Sequence, residues 1–105
     1  MNSITVGELK AKMDAKEPLQ LIDIREDWEV QISTIGGTHI PMGEILERSS
    51  ELSIDIPCVI HCRTGGRSSK IVKVLELHRG MSNLYNLEGG LVAWAQKVDS
   101  TLEQY

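Results

Sequence analysis

A chain of 105 residues is long enough for one domain with its own core, and 41% hydrophobic with 25% charged residues is an ordinary globular composition. The formal net charge of -4, without a long basic cluster, argues against a nucleic-acid-binding protein. No apolar run approaches the ~20 residues of a membrane span, and residues 1–9 lack the charged start and apolar core of a signal peptide. A single domain over residues 1–105, in the cytoplasm and away from membranes, is therefore expected.

The first half of the chain alternates short apolar segments with polar turns. Thr5 and Glu8 have the spacing of a capping box, which predicts the start of a helix. Residues 19–24 form a nearly continuous apolar run, as expected of a strand buried on both faces. Three shorter elements are predicted to follow: a helical turn at 26–30, a strand at 38–40, and a helix at 42–48 with Ile45 and Leu46 facing inward.

The second half repeats this alternation. Four elements are predicted there: a strand at 58–61, a helix from Ser68 or Ser69 to Gly80, a strand at 83–87 and a helix at 91–98. Residues 99–105 are polar and are predicted to form a surface tail. Both tryptophans are assigned to the core: Trp28 and Trp94. Strands that alternate with helices predict an α/β domain built on a parallel sheet.

The two cysteines are predicted to be free thiols. Cys58 and Cys62 are separated by about 13 Å along one strand, whereas a disulfide needs Cα atoms within about 7 Å of each other. Their spacing also differs from the two-residue gap of common zinc and thioredoxin motifs, and no histidine is spaced to complete a ligand set. Cys58 is interpreted as a small buried residue and Cys62 as a reactive thiol, and no metal site is expected.

The strongest functional pattern begins where the strand at 58–61 ends. Cys62 is followed by two glycines and two arginines and then by a predicted helix. Helix N-termini and nearby cations lower a cysteine pKa, and glycine permits turns in which successive N–H groups face one anion. Cys62 is the predicted nucleophile, in a cradle of Arg63, Thr64, Gly65, Gly66, Arg67 and Ser68. The alternative interpretation is a simple β-turn with its arginines on the surface.

Asp23 and Arg25 follow the end of another predicted strand and are expected beside Cys62. Ligands of open parallel sheets bind beyond the carboxyl ends of the strands, where both segments end. Two roles are open for the pair: contact with a substrate, or pairing with loop residues that fixes the cradle. His61 precedes Cys62 on the strand and points to the opposite face, so a packed histidine is predicted and not a general base.

The spacing from Cys62 to Arg67 separates two chemistries that use such a loop. Cysteine phosphatases have His-Cys, five residues and then Arg, but here the arginine comes one position early. A shorter loop makes a smaller cradle, suited to a persulfide sulfur better than to a tetrahedral phosphate. Residues 62–67, Cys-Arg-Thr-Gly-Gly-Arg, resemble the Cys-Arg-any-Gly-any-Arg loop of thiosulfate-using rhodaneses, a family of sulfurtransferases.

The resemblance to the rhodanese family covers nearly the whole chain. Residues 21–26 resemble the family's early Asp-Val-Arg-Glu segment, and residues 86–94 resemble its Gly-Gly…Trp motif. Residues 93–105 resemble the end of rhodanese-like domains fused to enzymes that adenylate molybdopterin synthase or related small sulfur carriers, with Ser100 and Glu103 in place of two prolines. The chain departs from the family at 33–38, where the usual Gly-His-Ile-Pro-Gly-Ala segment is structural.

The resemblance implies a three-layer rhodanese-like fold, with a mostly parallel central sheet and helices on both faces. It also implies that Cys62 takes sulfur from thiosulfate or a protein persulfide and passes it to a thiophilic acceptor. Arg63 and Arg67 then orient the anionic donor, no metal or organic cofactor is needed, and sulfur-donor or sulfur-carrier proteins are the expected partners. Two other classes stay open: a cysteine-based phosphatase or arsenate-reductase-like enzyme, and a non-catalytic rhodanese-fold binding module.

Overall fold

The computed structural model describes residues 1–105, and its centre is a sheet of five strands. The strands are β1 Asn2–Ile4, β2 Gln20–Asp23, β3 Thr38–His39, β4 Cys58–His61 and β5 Leu84–Leu87. They pair in the order β1-β5-β4-β2-β3, and every pairing is parallel. The predicted parallel α/β sheet is confirmed, and the strand that leads to Cys62 is its central one.

Four α-helices accompany the strands: α1 Val6–Asp14, α2 Asp27–Ile32, α3 Gly66–Arg79 and α4 Gly90–Lys97. The start of α1 is as predicted, because the Glu8 amide donates to the Thr5 hydroxyl and the Thr5 amide donates to the Glu8 carboxylate. Gly80, at a φ of +61°, ends α3 as predicted. None of the helices combines the length and the apolarity needed to cross a membrane.

The helix predicted at 42–48 is wrong. The chain there forms two short 3-10 turns, Met42–Glu44 and Ser49–Glu51. Ile45 is buried as predicted, but Leu46 is 38% exposed, so the segment has one apolar anchor and no continuous apolar face. Gly43 adds a cost of about 1 kcal/mol to a helix at this position, and tighter turns replace it.

Apolar side chains cover both faces of the sheet and produce the three layers. On one face, Val72 and Leu75 of α3 pack against Ile60 of β4. On the other face, Leu9 of α1 and Trp94 of α4 pack in the cluster that contains Val59 of the same strand. Because side chains alternate along a strand, Cys62 lies on the α3 face and His61 on the opposite one.

Both ends of the chain depart from the sequence-based expectations. β1 was not predicted, because it is three residues long and only Ile4 in it is buried, so no alternation marks it. It pairs with β5 and brings Ile4 beside Leu87. The predicted surface tail is also wrong in part, since Leu102 packs against the core on the α1–α4 side and Tyr105 bonds to Glu29 of α2.

Candidate active site

Cys62 lies directly beyond the carboxyl end of β4, in the middle of the sheet, as predicted. The chain turns at Gly65, whose φ of +101° is accessible to glycine at little cost, and α3 begins at the next residue. The predicted helix start at Ser68 or Ser69 is therefore wrong, and Gly66 is helical. Ser68 lies in the first helical turn, which brings its free amide toward the cysteine.

The sulfur of Cys62 is buried and accepts hydrogen bonds from the loop. The amide nitrogens of Gly65 and Ser68 lie 3.1 and 3.5 Å from Sγ, and the Ser68 hydroxyl oxygen lies 3.4 Å from it. Burial raises the pKa of the Cys62 thiol, but hydrogen bonds from Ser68 and from the amides of Gly65 and Thr64 outweigh burial and bring the pKa below its ordinary value. The loop therefore favours an anionic sulfur.

The N-terminus of α4 holds the backbone of this loop from behind. The amides of Leu91 and Val92 donate to the carbonyl oxygens of Cys62 and Arg63 at 3.1 and 3.0 Å. Gly90 makes this approach possible, because a Cβ at that position would collide with both carbonyl oxygens. In a trans peptide the C=O and the N–H point in opposite directions, so the amides that follow these carbonyls point away from α4. Gly90, from the Gly-Gly motif at 86–94, is thus part of the scaffold of the site.

Arg67 forms a partly buried ion pair with Glu29 of α2. Its two terminal nitrogens donate to the two carboxylate oxygens at 2.7 and 2.8 Å, and the Glu29 side chain is almost fully enclosed. These hydrogen bonds lower the pKa of Glu29 to about 2. Glu29 was not predicted as a site residue, since no local pattern in the sequence identifies a partner 38 residues away.

Tyr105 connects the C-terminal segment to the same cluster. Its hydroxyl donates to Glu29 at 2.7 Å and accepts from the guanidinium of Arg25 at 3.0 Å. Its ring centre lies 5.1 Å from the guanidinium carbon of Arg63, within the range of a cation–π contact. Tyr105 therefore contacts Arg63 directly and is connected to Arg67 through Glu29.

Asp23 and Arg25 lie at the carboxyl end of β2, next to β4, as predicted, but they pair with each other. The Arg25 guanidinium donates to the Asp23 carboxylate at 2.7 Å, and both side chains are buried. Burial opposes ionisation of Asp23, yet the hydrogen bonds from Arg25 outweigh it and the pKa of Asp23 is lowered. The predicted contact with loop residues is absent, because Arg25 instead donates to the backbone oxygens of Glu29 and Ser33. Arg25 is connected to the loop indirectly, through Glu29 of α2, which binds Arg67.

Other predicted positions show which groups are available for chemistry. His61 is fully buried, both its ring nitrogens lack a hydrogen-bond partner, and burial lowers its pKa to about 4, so it is a neutral packed histidine as predicted. Both cysteines are free, and burial raises the pKa of Cys58 to about 12.

Trp94 is buried as predicted, but Trp28 is 59% exposed. The prediction failed for Trp28 because the next residue, Glu29, occupies the inner side of the short helix α2.

The sulfur is enclosed in this conformation. Cys62 has no exposed surface, and no residue of the loop at 62–68 lines either of the two surface pockets. A reagent from solution therefore reaches Sγ only when the loop or the residues over it move. No group of three or more His, Cys, Asp or Glu side chains is arranged to hold a metal ion.

A parallel sheet with a cysteine cradled by backbone amides at its carboxyl edge defines the class of domain to which this chain belongs. The family model of the Rhodanese-like domain matches residues 5–97, and the chain belongs to that family. The match extends from the cap of α1 to the last residue of α4. The family resemblance inferred from the sequence is confirmed.

Individual relatives agree with this assignment. "Putative sulfurtransferase YtwF" of Bacillus subtilis (strain 168) is 41% identical, over 90% of this chain and 90% of that protein. "Adenylyltransferase and sulfurtransferase MOCS3" of Bos taurus is 29% identical over 97% of this chain, which spans only 27% of that protein. The crystal structure of a rhodanese-like domain protein from Staphylococcus aureus has a TM-score of 0.83 and 34% identity, covering 100% of this chain and 99% of its own. The expected rhodanese-like three-layer fold is confirmed.

Proposed function

We propose that this protein is a sulfurtransferase that carries sulfane sulfur as a persulfide on Cys62. The observation that carries the proposal is the buried sulfur, which the amides of Gly65 and Ser68 approach to 3.1 and 3.5 Å. Such donors stabilise a negative charge on sulfur without reorganisation during the reaction. Membership of a family with relatives named as sulfurtransferases supports the same chemistry.

The reaction proceeds in two steps. The Cys62 thiolate attacks the outer sulfur of thiosulfate, an S–S bond forms, the original S–S bond breaks, and sulfite leaves with its electron pair. The persulfide on Cys62 then carries one negative charge. An acceptor such as cyanide attacks the terminal sulfur, thiocyanate forms, and the thiolate returns. A protein persulfide as donor, or the thiol of a sulfur-carrier protein as acceptor, fits the same scheme.

The residues around Cys62 take different parts in this scheme. The loop amides and the start of α3 stabilise the thiolate and the persulfide anion. Arg63 has no carboxylate partner, so its guanidinium is available to bind the sulfonate end of thiosulfate. Arg67 shares its charge with Glu29 and acts on the donor at longer range. Asp23 and Arg25 support the site by anchoring α2.

Two observations weigh against a phosphatase. The loop holds one residue fewer between cysteine and arginine than the phosphatase pattern, and Arg67 directs both terminal nitrogens at Glu29. Appreciable native hydrolysis of an aryl phosphate would contradict this argument.

A non-catalytic binding module has no need of a thiol whose pKa is held below its ordinary value.

The decisive experiment is the intact mass of the non-reduced protein before and after treatment with thiosulfate or glutathione persulfide. Wild type and Cys58→Ala are expected to gain the mass of one sulfur atom, and cyanide is expected to remove it. Cys62→Ala is expected to gain nothing. Absence of a gain on wild type with both donors, or an equal gain on Cys62→Ala, would overturn the proposal.

A further inference from the structure

Ser68 has a single hydroxyl proton and two partners that compete for it. Its oxygen lies 2.5 Å from Oδ1 of Asn86 on β5 and 3.4 Å from Sγ of Cys62. All three side chains are buried, so the contacts are made within the protein interior. The contact between the two oxygens requires a proton between them, and Oδ1 of an amide has none to give. Ser68 therefore donates to Asn86, and in that state it cannot donate to the sulfur.

The orientation of Asn86 is fixed by its other end. Its amide nitrogen faces the carbonyl oxygen of Gly65 at 3.4 Å, so turning the amide over would set two oxygens against each other there. The backbone of Asn86 is held in the sheet opposite Ile60 of the central strand. Oδ1 consequently stays directed at Ser68.

Ionisation of Cys62 changes this chain of hydrogen bonds. In the neutral state the thiol S–H can donate to the Ser68 oxygen, while Ser68 donates to Asn86. When the thiol gives its proton to water, the Ser68 hydroxyl can donate to the thiolate only by rotating away from Asn86. Oδ1 of Asn86 then loses its donor in a buried place, which costs free energy.

We propose that Asn86 is a positioning residue that competes with Cys62 for the Ser68 proton and thereby restrains ionisation of the thiol. This proposal deepens the proposed function and rests on Cys62 being its nucleophile. A thiolate of lower basicity is a poorer nucleophile but a better leaving group. Cys62 acts as nucleophile when the persulfide forms and as leaving group when the acceptor takes the sulfur. Asn86 therefore sets the balance between the two half-reactions.

None of the charged groups around the thiol is hydrogen-bonded to Asn86, whose side chain bonds to Ser68 and to the carbonyl oxygen of Gly65. Asn86 itself is uncharged, and its substitution leaves five titratable or charged side chains of the neighbouring elements: Asp23 and Arg25 at β2, Glu29 on α2, His61 on β4 and Arg67 on α3. Arg63, within the loop, is likewise unchanged. A change in the titration of Cys62 then reports on the hydrogen bonds of Ser68.

The test is a titration of the Cys62 thiolate by its ultraviolet absorbance, with the Cys62→Ala protein as the blank for tyrosines and Cys58. Asn86→Ala, and Asn86→Leu as a variant that preserves volume, are expected to move the midpoint to lower pH by about one pH unit, since a hydrogen bond to a charged acceptor contributes on that order. Ser68→Ala is expected to move it to higher pH. Asn86→Ala added to Ser68→Ala is expected to produce no further change.

A structural control is available immediately before the amino end of β5. Asn83 donates to the backbone oxygens of Ser53 and Ile56 and does not touch the loop, so Asn83→Ala is expected to lower stability without moving the Cys62 midpoint. An unchanged or raised midpoint in both Asn86 variants would overturn the proposal. So would a shift of the same size in the Ser68→Ala background, because Asn86 would then act through Gly65.

The titration reads the thiol whether or not the protein transfers sulfur. A shifted midpoint in a protein that gains no sulfur would refute the proposed function and leave the role of Asn86 standing. Sulfur transfer with an unshifted midpoint would refute the role of Asn86 and leave the proposed function standing.

Discussion

Replacing Glu29 by glutamine tests how much the ion pair with Arg67 contributes to stability. The substitution keeps the size of the side chain and removes its charge. Arg67 then loses a bidentate partner, and one carboxylate oxygen that accepts from Tyr105 is replaced or turned away. A buried carboxylate with this many donors is expected to be a stabilising group at neutral pH.

The magnitude follows from the pKa of Glu29, which falls from 4.5 to about 2 on folding. At about 1.4 kcal/mol for each pH unit, the linkage sets an upper limit of about 3 kcal/mol. Solvent screens part of this, because the Arg67 side chain is 35% exposed. We expect Glu29→Gln to lower the free energy of unfolding by about 1–2 kcal/mol at neutral pH, relative to wild type.

The pH dependence has a definite sign. Because the folded-state pKa of Glu29 lies below its unfolded value, the contribution is fully present above the unfolded value of 4.5 and is lost as pH falls toward about 2. Urea unfolding of both proteins across this range is expected to show a gap in stability that narrows with acid. Glu47→Gln, at an exposed carboxylate, is the matched control and should behave as wild type. A gap of constant size from neutral pH to about pH 2 would refute the reasoning.

Three further predictions concern the scaffold of the site. Gly90→Ala is expected to lower the free energy of unfolding by more than about 2 kcal/mol and to reduce sulfur loading of Cys62. The Cβ of the alanine would collide with the carbonyl oxygens of Cys62 and Arg63, at a backbone φ of +52°. A wild-type urea midpoint together with wild-type sulfur loading would contradict this prediction. His61→Leu is expected to make the stability of the fold less sensitive to acid. The pKa of His61 is about 4 in the folded protein and near 6.5 in the unfolded chain, so this histidine destabilises the fold as pH falls between these values. The measurement is the drop in thermal unfolding temperature between pH 7 and pH 4.5, and an equal drop in the variant and wild type would contradict the prediction. Tyr105→Phe removes a hydroxyl bonded to Arg25 and Glu29 and is expected to lower stability by about 1 kcal/mol in urea unfolding, whereas a neutral effect would show that the tail does not contribute.

Much of the site was accessible from local patterns. The cysteine at a strand end, the glycine at 65 and the following helix lie within one short segment, and their geometry follows from backbone rules that act over a few residues. The capping box of α1 and the continuous apolar run of β4 are local in the same sense. The errors within local segments arose where the signal was weak, as in the glycine-containing turn at 42–44.

Other parts of the site depend on which distant segments meet. Glu29 lies in no motif, and the family-like segments at 86–94 and 93–105 assign no role to Asn86 or Tyr105. Even so, all three residues bond to the loop or to the residues that hold it. The sequence placed Trp28 in the core because aromatic residues are usually buried, but the short helix α2 turns Glu29 inward instead. Such choices depend on the packing of several elements at once, which no local window contains.

Hydrophobic periodicity and backbone conformation are local properties of the chain. They were enough to predict the parallel α/β class, the position of Cys62 beyond its strand and the turn that directs amides at the sulfur. The identity of the partners around the cradle depends instead on the tertiary structure. Parallel pairing places β5 and its Asn86 beside β4, and the start of α4 against the loop carbonyls. The packing of α2 beside the loop likewise brings the buried carboxylate of Glu29 to Arg67. Hydrogen bonds and ion pairs form between atoms a few ångströms apart in space, and their strength depends on burial that only the folded chain creates.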